Sequence, residues 1–257
     1  DCMDKNRDNS VLEEYILWEE KILQGDIAYA QGQGRLCSFD FSHSIEKSRI
    51  MRAQYHLDNK DTIPHRDYAL GYSAEESVRI AHIFNDTNSF LTPEVEYSYE
   101  VFKKDISQQF DVVKEHLSIL LSSTNPYSTS SQMRDDIGHG IIQSLKTSPS
   151  SFSTDVDKHP MLETDDDGIL FNDKFRIVHD VLAHGEGFSF GEVGEFYAWN
   201  IHRQCIHPDG YLALFIETRA QNCWNNFYPG NDLLPLSQRP FALQKIIDFS
   251  QFPEIRV

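Results

Sequence analysis

The sequence predicts a mostly α-helical protein with a few short strands, built as a single helical domain around a central metal site. Apolar residues recur at helical spacing in several stretches, and no alternation of strand and helix patterns is visible. The stretch Phe175–Arg203, FRIVHDVLAHGEGFSFGEVGEFYAWNIHR, concentrates histidines and carboxylates among glycines and aromatic residues. Since a parallel sheet requires strand and helix patterns to alternate, we expect none.

Helical patterns account for most of the first half of the chain. Val11–Gln24 places its apolar residues near one helical face. Ser73 is a predicted helix cap, and Glu76, three residues later, completes the capping-box pattern. Thr92, which is followed by proline, is a second predicted cap, and the helix that it starts is expected to continue to Leu117.

Serine, threonine and proline become frequent between residues 122 and 167. We interpret this stretch as irregular connections wrapped over the core, or alternatively as a solvated linker. The chain is therefore divided into an N-terminal helical region, 1–121, which packs on the metal-site core, 122–257, within one compact domain. The helices predicted for this core are Phe175–His184, Glu195–Cys205, Tyr211–Trp224 and Phe241–Phe249.

The net charge of the 257-residue chain is −17, which limits the partners that it suits. Phosphate backbones and anionic membrane surfaces both attract basic patches, so neither a nucleic acid nor a membrane is an expected partner. No stretch reaches the length of about 20 apolar residues that a membrane-spanning helix needs. The expected partner is a small-molecule substrate, and the sequence does not predict the oligomeric state.

The four cysteines, Cys2, Cys37, Cys205 and Cys223, form no CxxC pair. Their spacing argues against a disulfide scaffold or a zinc ribbon, and it predicts reduced thiols in a cytoplasmic protein. Because the chain begins at Asp1 without methionine, a protein that has lost a targeting segment is also compatible with the sequence.

His179 and His184 are the first candidate metal ligands. On a regular helix a separation of five residues turns the side chain by about 140°, so the two rings do not share a face. They converge if the helix ends near His184, which the glycines that follow it permit. Two imidazoles and a carboxylate, with positions left open, are the ligand set of non-haem Fe(II) sites that activate oxygen. His159 and His207, each followed by proline, are instead predicted to lie in loops.

The third ligand must be a carboxylate, and two positions stand out. The candidates are Asp180, Glu186, Glu192, Glu195 and Glu217. Glu217 interrupts an apolar run, LALFIETRAQN, and needs a partner such as a metal or Arg219, because a buried carboxylate is costly. Glu195 shares a helical face with Trp199 and His202, which is also what a solvated helix face would show. From these residues alone the choice between Glu195 and Glu217 stays open.

The motif HDVLAH, followed by a helix with phenylalanine and a hydrophobic helix with an embedded glutamate, resembles the iron-dependent aromatic amino-acid hydroxylases. The resemblance implies that His179, His184 and Glu217 bind Fe(II). Asp180 stands where that family has glutamate, and Ala183 stands where it has glycine. No stretch resembles a pterin-binding segment, so the resemblance gives no support for a pterin cofactor.

The stretches FRIVHDVLAH, FGEVGEFYAW and ETRAQNCWNN, with NPYSTSSQM and HPML upstream, also resemble an uncharacterised domain of large phage polyproteins. This similarity implies no activity, but it does imply that several polar and aromatic residues form one constellation. They are Glu195, Trp199, His202, Glu217, Arg219, Gln221 and Asn222.

The loop Gly185–Gly194, GEGFSFGEVG, combines four glycines with two phenylalanines. The glycines give the backbone conformational freedom, whereas the rings of Phe188 and Phe190 should not remain exposed. We predict that the loop closes over the metal and that both rings contact the substrate, or alternatively that both rings are a fixed part of the core.

The leading hypothesis is a mononuclear non-haem Fe(II) oxygenase that acts on a small polar or amino-acid-like substrate. A carboxylate would orient a ligand histidine through its second nitrogen, and an arginine would receive a substrate carboxylate. The predicted catalytic residues are Asp180, Glu195, His202, Arg176 and Arg219. The predicted substrate-binding residues are Gln221, Asn222, Trp199, Phe188 and Phe190.

Two other hypotheses are open. A hydrolase would use the same ligands around Zn²⁺, with Glu195 as general base. A non-enzymatic interaction domain would use the polar cluster as a buried network that fixes helix packing. The sequence lacks the GxGxxG, GxxxxGK and HExxH motifs, which argues against Rossmann, P-loop and zincin chemistries.

Overall fold

The computed structural model describes residues 43–59, 71–149, 151–231, 233–235 and 238–257, and these residues are mostly α-helical, as predicted. The helices are α1 (His43–Asp58), α2 (Ala74–Asp86), α3 (Pro93–His116), α4 (Ser130–Gly138), α5 (Phe171–Leu182), α6 (Glu192–Arg203), α7 (Tyr211–Phe215) and α8 (Gln221–Phe227). A π-helical segment, Ile216–Ala220, joins α7 to α8 without a break. The strands are β1 (Ser118–Ser122) and β2 (Ile141–Leu145).

The starts of α2 and α3 confirm the predicted caps. The Ser73 hydroxyl accepts a hydrogen bond from the Glu76 backbone N–H, and the Thr92 hydroxyl accepts one from the Val95 backbone N–H. The capping-box prediction holds only in part, because the Glu76 carboxylate pairs with Arg256 instead of closing back on the cap. The predicted helix Val11–Gln24 lies outside the described residues.

The expectation that the chain has no parallel sheet is wrong. Strands β1 and β2 pair in parallel, with Ser118 opposite Ile141 and Ser122 opposite Leu145, and α4 connects them. Thr129 caps α4 with a complete capping box. Helix α4 and strand β2 lie in the stretch that was interpreted as irregular, and β1 ends where that stretch begins. The unit was not predicted because its elements are short and β1 is largely exposed.

The predicted helix Phe241–Phe249 is also absent. The segment is extended, and the Gln244 backbone N–H donates to Ser153 O over 2.7 Å, so its backbone pairs across the chain rather than along a helix. Only the short 3₁₀ turn Phe249–Gln251 is helical there. By contrast, the other three predicted core helices are present, with ends shifted by a few residues.

One hydrophobic core connects the helices and places α5 and α6 at its centre. Phe102 of α3 packs on Phe175 of α5 with ring centroids 5.4 Å apart, and Trp199 of α6 packs on Phe215 of α7 at 5.7 Å. Each fully buried ring of this kind stabilises the fold by roughly 1.5–3 kcal/mol. Core residues on both sides of the boundary between residues 121 and 122 belong to this cluster.

Among the helices of the described part of the chain, none has both the length and the apolar composition needed to cross a membrane. Cys205 and Cys223 are buried free thiols.

Candidate metal centre

The C-terminal end of α5 brings His179 and His184 together. The helix ends at Leu182, and His184 opens a 3₁₀ turn that Gly187 terminates with a φ of 101°, a left-handed conformation that favours glycine. The backbone thus unwinds just before His184, as predicted. The two imidazole rings meet edge to face with centroids 5.1 Å apart.

Gly185 allows this turn to sit directly against α1. A Cβ atom at this position would overlap the Ser48 hydroxyl, and the Ser44 hydroxyl donates to Gly185 O over 3.1 Å. The neighbouring Glu186, one of the candidate carboxylates, is fully buried in ion pairs with Arg52 and Arg49. These contacts fix the position of the turn that carries His184.

The carboxylate that joins the two histidines is Glu195, in the first turn of α6. One ligand atom from each of His179, His184 and Glu195 lies within 4.8 Å of the other two. His184 Nε2 is 3.4 Å from Glu195 Oε2. Among the residues that the structure describes, these three are the histidine, cysteine or carboxylate side chains that lie close enough together to hold one metal ion.

A chain of buried hydrogen bonds sets the tautomer of His179. The Gln109 amide donates to Cys205 O over 2.8 Å, so Gln109 Oε1 faces His202 Nε2, 2.8 Å away, and accepts a hydrogen bond from its N–H. His202 Nδ1 is then an acceptor for the Nδ1–H of His179, at 3.0 Å. It follows that Nε2 of neutral His179 carries a lone pair rather than a proton.

His184 has an equivalent arrangement. Its Nδ1–H donates to Phe188 O over 3.0 Å, which leaves Nε2 of the neutral ring as a lone-pair donor towards Glu195. The Asn222 amide donates to Glu195 Oε2 over 3.0 Å and orients the carboxylate. Metal-bound histidines usually have their second nitrogen held in this way by a protein acceptor.

The Nε2 atom of His179 is buried, and it has no hydrogen-bond partner among the residues that the structure describes. A buried polar atom without a partner is costly, and a metal ion is one group that would satisfy it. Two imidazole nitrogens and a carboxylate oxygen are donors that both Zn²⁺ and Fe(II) accept. The residues present therefore fit a divalent transition metal.

The two linked imidazoles favour their neutral forms. Burial, with the positive potential of the neighbouring histidines, places the pKa of His179 well below its ordinary value. Burial and the charge of Arg52 lower the pKa of His202 to about 3. Burial also acts against protonation of His184, but the adjacent Glu195 carboxylate outweighs it and raises the pKa of that ring.

Asp180 adds a second carboxyl group to the same cavity. The cavity has a volume of about 720 Å³, and its walls include His179, Asp180, Glu195 and Phe190. Burial, together with repulsion from Glu195, raises the pKa of Asp180 to about 7, although His184 and Arg176 act in the opposite direction. A proton-carrying group thus lies beside the candidate metal ligands.

Glu217, the predicted third ligand, lies elsewhere. It accepts hydrogen bonds from the Tyr99 hydroxyl and, over 3.5 Å, from the Gln221 amide, and His159 Nε2 is 3.5 Å away. The π-helical segment directs its carboxylate towards α3 and His159, whereas α6 brings Glu195 to the two histidines. In the cluster that the structure brings together, Glu195 replaces Glu217.

The other predicted site residues differ in whether they line this cavity, a second cavity or neither. Arg176 and Asn222 line both this cavity and a second one, and Gln221 lines the second cavity only. Arg219 lines neither; it is buried, with its guanidinium donating to the Ser77 hydroxyl over 2.7 Å and lying over the Phe196 ring. His202 acts through His179, as described above.

Of the three aromatic residues predicted to contact the substrate, only Phe190 lines the cavity. Trp199 and Phe188 are core residues: Trp199 is 1% exposed, and Phe188 is fully buried and stacked on Tyr197. Phe190 is half-buried in the cavity wall, with its ring centroid 4.9 Å from that of His184.

Two residues of the site were not predicted. Gln109 lies on the buried face of α3. The sequence feature that could have identified it is the presence of a polar residue at a position, between Ile106 and Phe110, where the helical pattern predicts an apolar one. His159 was predicted as a loop residue, and it does precede a 3₁₀ turn, but its ring is buried beside Glu217. No local pattern pairs His159 with Glu217, which lies far along the chain.

No protein-family model, no curated protein and no solved structure matches this chain. The site is therefore interpreted from its own geometry.

Proposed function

We propose that the chain binds one divalent transition-metal ion through His179 Nε2, His184 Nε2 and the Glu195 carboxylate, and that it is a metal-dependent hydrolase. The observation that carries the proposal is the buried Nε2 atom of His179, which has no hydrogen-bond partner among the described residues, in a side chain that clusters with His184 and Glu195. Buried polar atoms in folded proteins normally have a partner, and a bound metal ion would be the partner of this one.

Hydrolysis is favoured by the side chains around the ligands. When bound at such a site, Zn²⁺ polarises a carbonyl or phosphoryl oxygen and lowers the pKa of water. Asp180, in the wall of the same cavity, is placed to take up and return the proton. This role was first predicted for Glu195, which is here a ligand. Arg176 is placed to hold an anionic group of the substrate.

The second candidate is the Fe(II)-dependent oxygenase. Its support is the ligand set itself, since two histidines and one carboxylate form the facial triad of non-haem iron oxygenases. The rings of Phe175 and Phe190 in the cavity wall would suit a partly apolar substrate. The resemblance to the aromatic amino-acid hydroxylases supports the oxygenase only weakly. It implied Glu217 as the third ligand, whereas Glu195 is the carboxylate that lies beside the two histidines.

Metal content tests the proposal. The chelated protein is reloaded with Zn²⁺ in one sample and with Fe(II) under anaerobic conditions in another, and bound metal is measured by elemental analysis. We expect one ion per chain in the wild type and near-zero occupancy after His179→Ala with His184→Ala. Glu192→Gln, in the same first turn of α6 but outside the cluster, is the matched control and should keep its metal.

Activity then separates the two candidates. Hydrolysis of ester, amide and phosphoester panels by the Zn²⁺ form, lost in Asp180→Asn, would support the hydrolase. Oxygen consumption by the Fe(II) form without such hydrolysis would support the oxygenase. Equal, near-zero metal in the wild type and the double variant would contradict both and leave the buried-network interpretation.

A further inference from the structure

The second cavity contains a buried carboxylate that the metal centre does not use. Glu217 is 6% exposed and lies in the π-helical segment between α7 and α8. Interruptions of this kind in a helix are frequent at functional sites. Its carboxylate borders a cavity with a volume of about 810 Å³.

The groups that contact this carboxylate are neutral. The Tyr99 hydroxyl and the Gln221 amide donate to it. His159 Nδ1 accepts the Met161 backbone N–H, so the neutral ring carries its proton on Nε2, the atom that faces Glu217. Burial lowers the pKa of His159 to about 4, so the ring stays uncharged near neutral pH.

No lysine or arginine forms an ion pair with Glu217 within the described part of the chain. Arg176, in the wall of the same cavity, acts on the carboxylate only at longer range. Burial therefore raises the pKa of Glu217 to about 7, against the three groups that lower it, Tyr99, Gln221 and Arg176. An ionised carboxylate in this position lacks the close positive partner that buried charges normally have.

The wall around Glu217 is rich in groups that both donate and accept hydrogen bonds. Serine hydroxyls and side-chain amides predominate, including Ser148, Ser151, Ser153, Asn172, Gln221 and Gln244. Such a surface suits a ligand that has amide or hydroxyl groups of its own. The cavity wall therefore carries two charged groups, the Glu217 carboxylate and the Arg176 guanidinium. The polar groups between them are uncharged amides and hydroxyls.

The second cavity adjoins the metal cavity. Phe175, Arg176, Asn222 and Asn225 line both. Asn222 also donates to Glu195, so one residue touches the candidate metal ligand and the shared wall. A ligand that occupied the second cavity would therefore extend towards the metal centre.

We propose that the second cavity binds a primary ammonium group, with Glu217 as its counterion and the surrounding amides and hydroxyls holding the polar atoms beside it. The ammonium supplies the close positive charge that the neutral neighbours of Glu217 do not. That this group belongs to the substrate of the metal centre rests on the proposed function. The ammonium site itself does not, because no metal ligand takes part in it.

The test is a binding measurement on the metal-free 257-residue chain with matched charged and uncharged probes. Triglycine is compared with N-acetyltriglycine, glucosamine with N-acetylglucosamine, and ethylammonium with ethanol. We expect at least one charged probe to bind about tenfold or more tightly than its uncharged counterpart, because only the charged probe can form an ion pair with Glu217. Which pair shows the preference identifies a peptide or an amino sugar as the source of the ammonium.

Three variants locate the effect. Glu217→Gln keeps a hydrogen-bond acceptor for Tyr99 and should remove the preference for charge. Glu195→Gln should lose metal but keep the preference, so failure of the metal proposal and failure of this one give different results. Asp180→Asn tests the second carboxyl group of the metal cavity and should also keep the preference for charge.

The proposal is overturned if no charged probe binds better than its counterpart, or if the preference survives in Glu217→Gln, or if it disappears in Asp180→Asn instead. Should Glu217→Gln not fold, the wild-type comparison and the Asp180→Asn variant still decide the question.

Discussion

Glu195 and Glu217 both border the paired cavities, but their neighbours differ in one respect. In their neutral forms His179 and His184 carry their protons on Nδ1, so Nε2 of each ring is a lone-pair donor, and His184 Nε2 lies 3.4 Å from Glu195. The groups that face Glu217 are the Tyr99 hydroxyl, the Gln221 amide and the protonated nitrogen of His159. Tyr99 and Gln221 already donate hydrogen bonds to Glu217, whereas Nε2 of neutral His179 has no hydrogen-bond partner among the described residues.

The position of the proton on a buried imidazole therefore distinguishes the proposed metal site from the polar network around Glu217. At His179 the deciding contacts lie on the far side of the ring, at His202 and Gln109. At His159 the deciding contact is a single backbone N–H, that of Met161. Two carboxylates in adjoining cavities therefore call for different positive groups.

The largest expected effect is on metal affinity. Glu195→Gln replaces a charged ligand with a weak one, and we expect metal affinity to fall by more than the about hundredfold loss that outer-shell substitutions reach. Glu217→Gln should leave the affinity within a factor of about three, because Glu217 contacts neither histidine. Isothermal titration with Zn²⁺ measures both. The reverse ranking would return the ligand role to Glu217.

The next effect concerns the two phenylalanines after the glycine turn. Phe188→Ala should destabilise the metal-free protein by about 3–5 kcal/mol, since the ring is fully buried on Tyr197. Phe190→Ala should cost roughly 1 kcal/mol, because its half-buried ring lines the cavity. Urea unfolding gives both values. Equal, small losses would mean that both rings belong to a movable lid.

A smaller effect concerns the pH dependence of stability. The pKa of Glu217 rises from 4.5 to about 7 on folding, so wild-type stability should fall as pH rises through that interval. Glu217→Gln removes this loss. Its stability relative to wild type should therefore increase by about 2–3 kcal/mol between about pH 5 and pH 8. A difference that does not change with pH in urea unfolding would show that Glu217 is ionised at little cost.

Local rules predicted the parts of this molecule that depend on nearby residues. Ser73 and Thr92 start their helices because a hydroxyl satisfies an otherwise free N–H two or three residues on. The convergence of His179 and His184 followed from helix geometry and the glycines beyond it. These statements need only a few consecutive residues.

The errors concern contacts between distant segments. The choice between Glu195 and Glu217 depends on where α6 and the π-helical segment direct their side chains, which helical periodicity does not specify. The segment predicted as the helix Phe241–Phe249 is extended because Gln244 pairs with residues near Ser153. Strand β1 was missed because its few residues find their partners only through α4 and β2.

The central claim is that a metal ion lies between His179, His184 and Glu195. Crystals grown with Zn²⁺, with diffraction data collected on both sides of the zinc absorption edge, would locate it directly. We expect one strong anomalous peak at bonding distance from both Nε2 atoms and a Glu195 oxygen, about 2.0–2.2 Å. A peak beside Glu217 and His159 instead, or no peak near His179 at full zinc loading, would contradict the claim.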